Sequence, residues 1–258
     1  MNRLSQKFIR PSLVLLLLFQ PVYTHALASE VKAEETQPLN AAPHNNSPQP
    51  GELNITLHLL DHATRAENDY RKAVHLVQSG KNSGAEILLQ RALSLQIDHL
   101  LARELLTTLL VKRHAVQDAI AVLAKGIDIA PGQARFPLWL AQLHMKLDAA
   151  KQALNVLEKN AARFQHQPTY LGVLATLYQQ SGRHTEAHQN FLRATNLAPQ
   201  DGRWWLGLGM TEEALENWAS AKDAYRRAKE YGFIEGPLLQ FAQQRLAIMS
   251  ARLQQQKS

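Results

Sequence analysis

The sequence predicts an all-α fold: a right-handed α-solenoid of about five helix–turn–helix repeats with a C-terminal capping helix. Three observations carry that expectation. From Glu67 onward, glycine and proline fall between helix-length segments, and no run of alternating β-branched residues appears. Alanine recurs every 34 residues, at Ala85, Ala119, Ala153, Ala187 and Ala221. Side-chain size then holds the same phase. Four residues after each alanine stand Leu89, Leu123, Leu157, Phe191 and Tyr225, all large and apolar.

Residues 1–28 read as a secretory signal. Arg3, Lys7 and Arg10 precede the apolar run from Leu13 to Phe19, and Ala26-Leu27-Ala28 supplies a small-x-small cleavage pattern. The run is far shorter than the roughly 20 residues that span a bilayer. Cleavage after Ala28 is the expected fate, with a short uncleaved membrane anchor as the alternative. Both readings put the body in the periplasm of a Gram-negative bacterium, soluble or tethered to the inner membrane.

Residues 29–52 carry four prolines, several Asn, Gln and Ser, and almost no large apolar side chains. Such a segment cannot bury a core and reads as a disordered linker. The formal net charge is +6, of which Arg3, Lys7 and Arg10 supply three, so the body is only mildly basic. Its basic residues alternate with acids, which argues against a nucleic-acid partner. The chain has no cysteine, which excludes disulfides, thiolate zinc sites and cysteine catalysis.

Residues 53–235 read as the repeat body, with repeats near 66–99, 100–133, 134–167, 168–201 and 202–235. Thirteen residues before each alanine come Lys72, Leu106, Leu140, Leu174 and Leu208. Small residues follow directly: Ala73, Thr107, Ala141, Ala175 and Gly209. Seven residues after each alanine stand Ala92, Gly126, Asn160, Ala194 and Ala228. Small side chains let two helix backbones approach at a crossing, and large ones fill the adjacent gaps. Pro131 and Pro199 stop two second helices, since proline lacks an N–H and clashes with the preceding turn. Gly80 and Gly182 share one phase in the turn between paired helices, where glycine adopts a positive φ at no steric cost. Lys72 marks the first repeat as a terminal one, and Asn160 and Gln165 make the third the most irregular. Residues 236–258 read as a capping helix with an apolar stripe of Leu239, Leu246, Met249 and Leu253.

This pattern resembles the tetratricopeptide repeat (TPR) family, with its W-x2-L-G-x2-Y, A-x3-F, A and P positions. The closest copies are "YLGVLATLYQQSGRHTEAHQNFLRATNLAP" and "WWLGLGMTEEALENWASAKDAYRRA". The resemblance makes Trp205 a core residue and Leu208-Gly209 its Leu-Gly pair. It leaves Trp204 either packed on the preceding repeat or exposed, and puts Gly207 where a side chain of the concave face would stand. The same box contains Gly207-x-Gly209, but Glu212 replaces the third glycine of a dinucleotide fingerprint, and a turn rather than a strand precedes it.

Other chemistry is sparse. "HTEAH" holds His184 and His188 four residues apart, but its glutamate stands at the third position rather than the second or fourth used by zinc peptidases. The two histidines straddle Ala187 and are expected to flank it on the surface. His58 and His62 share that spacing. No third ligand, nucleophile elbow or phosphate loop accompanies them, so no metal, cofactor or enzymatic activity is expected. A metal-binding enzyme accessory is the least favoured alternative.

What remains is a protein-binding surface. The TPR resemblance implies that the first helix of each pair lines a concave groove. Its phase selects Val74, Leu105, Thr108, Leu138, Gln142, Met145, Val173, Thr176, Leu206 and Met210, with Trp139 beside them. The set is largely apolar and suits a helix laid into a groove; packing between repeats is the competing role for some members. The lysine, asparagine and arginine of the TPR subfamily that grips chaperone tails are missing at these positions.

Among TPR families, "YRKAVHLVQSGKNSGAEILLQRALSLQIDHLLARELLTTLLV", "LYQQSGRHTEAHQNFLRA" and the WWLGLG box look like the TPR component of mannose-sensitive haemagglutinin (MSHA) type IV pilus biogenesis, the MshN type. That resemblance implies an inner-membrane protein whose periplasmic repeats help assemble a pilus machine. The expected partners are then envelope or pilus-assembly proteins, with membrane proximity through the N-terminus. A periplasmic adaptor of another secretion or envelope-assembly system is the alternative.

Overall fold

The structure, a computed structural model, describes residues 50–232 and 234–256, with side chains from Asp61 onward. The signal and most of the linker lie outside the described residues. Every regular element among the described residues is helical. We number them α1 (Pro50–Gln78), α2 (Asn82–Leu95), α3 (Leu100–Lys112), α4 (Val116–Ile129), α5 (Arg135–Lys146), α6 (Ala150–Asn160), α7 (Pro168–Gln180), α8 (His184–Leu197), α9 (Gly202–Ala214), α10 (Trp218–Glu230) and α11 (Gly236–Gln255). Helix α1 begins at Pro50, inside the last residues of the stretch read as linker. Proline at a helix start leaves no N–H unsatisfied, which suits it to that place. The described chain divides into two compact units, up to Phe136 and from Pro137.

In the first unit, α1 packs on α2, α2 on α3 and α3 on α4. In the second, α7 packs on α6, α8 and α9, α9 on α8 and α10, and α10 on α11. The periodic alanines Ala85, Ala119, Ala153, Ala187 and Ala221 are all 0% exposed, as are the large residues four positions on. A pattern of 3.6 residues per turn places i and i+4 on one stripe, so each second helix offers a small and a large side chain to the same seam. Lys72 is exposed, whereas Leu106, Leu140, Leu174 and Leu208 are buried in the same phase. Helices α4 and α8 end before Pro131 and Pro199. In the third repeat, α6 ends at Asn160 and continues as a 3-10 turn over Ala161–Phe164. Asn160 is buried, and its amide donates to Val156 O at 2.9 Å, a local bond that competes with the helical pattern.

The turns are more regular than glycine alone foretells. Gly80, His114, Asp148, Gly182 and Glu216 stand 34 residues apart, and all five have positive φ, from 54 to 75°. Each turn closes with the same two main-chain bonds. In the last, Asn217 N donates to Glu212 O at 2.9 Å and Glu216 N to Glu213 O at 3.1 Å. The equivalent pairs close at Lys81 and Gly80, Ala115 and His114, Ala149 and Asp148, and Arg183 and Gly182. This 6→1 and 5→2 pattern is a Schellman closure, which satisfies carbonyls that the helix end leaves open.

Two expectations need correction. Helix α11 turns Leu238, Ala242 and Met249 into the core, while Leu239, Leu246 and Leu253 are half-buried at its flank. The contact face is therefore displaced from the stripe read in the sequence. The surface of α10 sets it: Phe241 meets Tyr225 edge-on at 6.3 Å, and Arg252 lies over Trp218 at 3.7 Å. Gly207 does not stand at an open groove position. A Cβ there would come within 2.3 Å of the Phe191 ring, so α8 and α9 cross at this point.

Candidate functional site

The expected binding residues all fall on first helices. On α1 and α3, Val74, Leu105 and Thr108 are half-buried. Leu138, Gln142 and Met145 recur at i, i+4 and i+7 along α5 and are half-buried, as is Met210 on α9. Trp139, Val173, Thr176 and Leu206 are buried. The hydroxyls of Thr108 and Thr176 donate to Glu104 O and Gly172 O, at 2.9 and 2.8 Å, within their own helices. Each threonine thus spends its polar group locally and presents a methyl. The half-buried members are mostly unbranched or apolar side chains, with Gln142 as the polar exception.

The WWLGLG box is packing. Trp204 is 1% exposed, and its ring occupies the space a Cβ on Gly172 would need, at 2.2 Å. That resolves its place in favour of the preceding repeat. Gly172 was missed in the sequence, because it lies outside the repeated small positions. Trp205 is buried, donates Nε1 to Pro199 O at 2.8 Å and carries Arg227 over its ring at 4.6 Å. Gly209 brings its backbone to Tyr225, where a Cβ would stand 2.9 Å from the ring.

Two sequence motifs meet in one polar cluster. His188 Nε2 lies 3.0 Å from Glu212 Oε1, the residue standing where a nucleotide loop would have its third glycine. Glu212 is 7% exposed and also accepts from Asn217 Nδ2 at 2.8 Å. Thr211 joins the edge of this cluster by accepting from Gln179 Nε2 at 3.2 Å. His184 and His188 are half-buried rather than on the open surface, because α9 covers the flank of Ala187. Among the described residues, no three metal-ligating side chains come together. His58 lies outside the residues whose side chains are described.

A second periodic feature also went unread. Six residues after each repeat alanine stands a cation: Arg91, Lys125, Lys159, Arg193 and Arg227. Arg91 pairs with buried Asp69, Arg193 donates to Gln165 O at 3.0 Å, and Arg227 pairs with Asp223 at 2.7 Å. Arg91 thus ties α2 to α1 and Arg193 ties α8 to the segment after α6, while the Arg227 pair lies within α10. At the first repeat, exposed Lys72 joins Arg71, His75, Leu76 and Leu88 around a shallow surface cavity of about 470 Å³.

Two family models described as tetratricopeptide repeat match residues 110–177 and 173–233. The chain therefore carries tetratricopeptide repeats over residues 110–233 and has the all-α TPR fold. Solved structures agree on the fold. YrrB, described as a TPR protein with an unusual peptide-binding site, is 17% identical with a TM-score of 0.55, covering 73% of this chain and 97% of its own. MamA is 18% identical with a TM-score of 0.53, covering 62% and 93%. MamA from Desulfovibrio magneticus RS-1, from residue 41 on, is 16% identical with a TM-score of 0.53, covering 65% and 94%. No curated protein matches the sequence. The TPR fold is typically a non-catalytic one, and its repeats make this chain a protein–protein interaction scaffold.

Proposed function

We propose that this TPR protein is a bacterial envelope scaffold that binds protein partners through the exposed face of its first helices, in the biogenesis of an MSHA-like type IV pilus. The observation that carries the binding face is the half-buried row Leu138, Gln142 and Met145 on α5, with Met210 on α9. Methionine adapts to an apolar partner surface, and burying partly open apolar side chains there contributes to affinity. YrrB, with its peptide-binding site, is a precedent for such use of the fold. The signal-like residues 1–28 support an envelope location, and the segments resembling the MshN type support the pilus.

An adaptor of another envelope-assembly system is the second reading. The observation favouring it is the short apolar run Leu13–Phe19, where the MshN type carries a cytoplasmic stretch and a full membrane span.

The experiment combines location, phenotype and capture. The tagged chain is expected in the periplasmic or inner-membrane fraction, and deletion of its gene should remove surface pili. Affinity purification should return pilin, assembly ATPase-complex or secretin components. Leu138→Lys with Met145→Lys should lose those partners while the helical signal is retained. Intact piliation in the deletion strain overturns the pilus reading, and unaltered capture by the folded double variant overturns the α5 face.

A further inference from the structure

The second repeat carries an arginine where the fifth carries a tryptophan. Arg103 and Trp205 share one phase of the 34-residue period, and each donates to the carbonyl six residues before it. Arg103 Nη2 reaches Ile97 O at 2.6 Å, and Trp205 Nε1 reaches Pro199 O at 2.8 Å. Arg103 Nη1 also donates to Val122 O at 3.1 Å. Its stem runs over Gly126, where a Cβ would stand 2.8 Å from Arg103 Cδ. The side chain is thus held in place, 2% exposed, with a buried Nε that has no hydrogen-bond partner. Both acceptors are main-chain carbonyls. Arginine keeps its charge in proteins, and a buried charge normally has a counter-ion. This one has none among the described residues.

In the fifth repeat the indole fills its place, with Arg227 stacked above it. In the second, the slimmer guanidinium leaves a cleft of about 340 Å³ between α2 and α4, floored by α3. Leu93, Ile97, Leu106 and Val122 wall it, and Arg103 and Lys125 supply its charge; no lining residue is acidic. Ile97 is 50% exposed, a large apolar side chain left open to solvent. Lys125 is exposed and makes no ion pair among the described residues.

We propose that this cleft binds a partner protein segment that inserts one large apolar side chain beside a carboxylate. The apolar walls desolvate the inserted side chain, and the carboxylate supplies the counter-charge that Arg103 and Lys125 lack. Second helices α2 and α4 wall the site, and Arg103 and Leu106 of α3 floor it; none of these residues belongs to the first-helix binding set, so the site does not depend on the pilus reading.

The test uses two small probes on the full chain, followed by amide NMR. N-acetyl-phenylalanine carries an aromatic ring beside a carboxylate; N-acetyl-phenylalaninamide is its uncharged counterpart. The acid should shift the amides of Ile97, Val122 and Lys125, and the amide should bind about tenfold more weakly, the factor carried by one charge-assisted hydrogen bond. Lys125→Glu, a surface change, should weaken the acid by about tenfold and leave the amide unchanged. Arg103→Trp should fill the cleft as Trp205 does and abolish binding of both probes. Equal binding of the two probes, acid binding untouched by Lys125→Glu, or no shift at these residues at saturating probe overturns the proposal. If Arg103→Trp does not fold, the Lys125→Glu comparison decides by itself.

Discussion

Gly172 and Gly209 each hold open the footprint of an aromatic ring. A Cβ on Gly172 would stand 2.2 Å from Trp204, and one on Gly209 would stand 2.9 Å from Tyr225. Neither ring has room to retreat, since Trp204 and Tyr225 are almost fully buried. Leucine at either position must push a packed ring aside, which costs about 1–3 kcal/mol or more. Gly172→Leu, with the closer contact, is expected to lower the urea midpoint further than Gly209→Leu. Equal midpoints to wild type would show that the crossings are looser than this geometry. Charge works at the residue scale too. Asp69 is buried and accepts from Arg91 Nε at 2.5 Å. That guanidinium holds the Asp69 carboxyl below its ordinary value of 3.8. A depressed folded-state pKa contributes stability that is complete above the unfolded value and lost as pH falls through the folded one. Wild type should therefore lose an increment of stability below about pH 4 that Asp69→Asn lacks. Thermal melts of both at neutral and acid pH check this.

At the scale of elements, the five turns are one device used with different residues. His114, Asp148 and Glu216 occupy the left-handed conformation that Gly80 and Gly182 adopt freely. A side chain there costs roughly 1–2 kcal/mol, less for aspartate, while glycine's freedom in the unfolded chain offsets part of the relief. Glu216→Gly and His114→Gly are each expected to stabilise by about 1 kcal/mol, and Asp148→Gly by less. Calorimetric melting of the three variants orders them. A destabilised Glu216→Gly would mean that the exposed side chain contributes more than its backbone strain. These turns also show why glycine was a partial guide. The closure needs a positive φ, and main-chain hydrogen bonds impose it on residues whose type does not advertise it.

Across the molecule, a repeat chain is stabilised by each unit and by its contact with the next. Helix α11 closes the last repeat through Leu238, Ala242 and Met249, through Arg252 over Trp218, and through an Arg245–Glu213 ion pair. Removing residues 236–258 should expose the face of α10 that these cover. Hydrogen exchange should then quicken in α10 and α9 and stay unchanged in α3 and α4. Uniform acceleration would show instead that the repeats melt as one cooperative block.

Periodicity by itself determined the helix pairs, their 34-residue phase, the buried alanines and Trp205. Local size and turn chemistry repeat in the chain, and each repeat buries the same seam. Tertiary structure alone decided what depends on a neighbouring element. Trp204 went into the gap at Gly172, Gly207 went against Phe191, and His188 went to Glu212. The contact face of α11 shifted because α10 presents Tyr225 and Trp218, which no pattern within α11 encodes. The cleft at Arg103 belongs to the same class. It exists because a guanidinium makes the hydrogen bond of an indole without filling its volume, and that shortfall becomes visible only when α2, α3 and α4 enclose it.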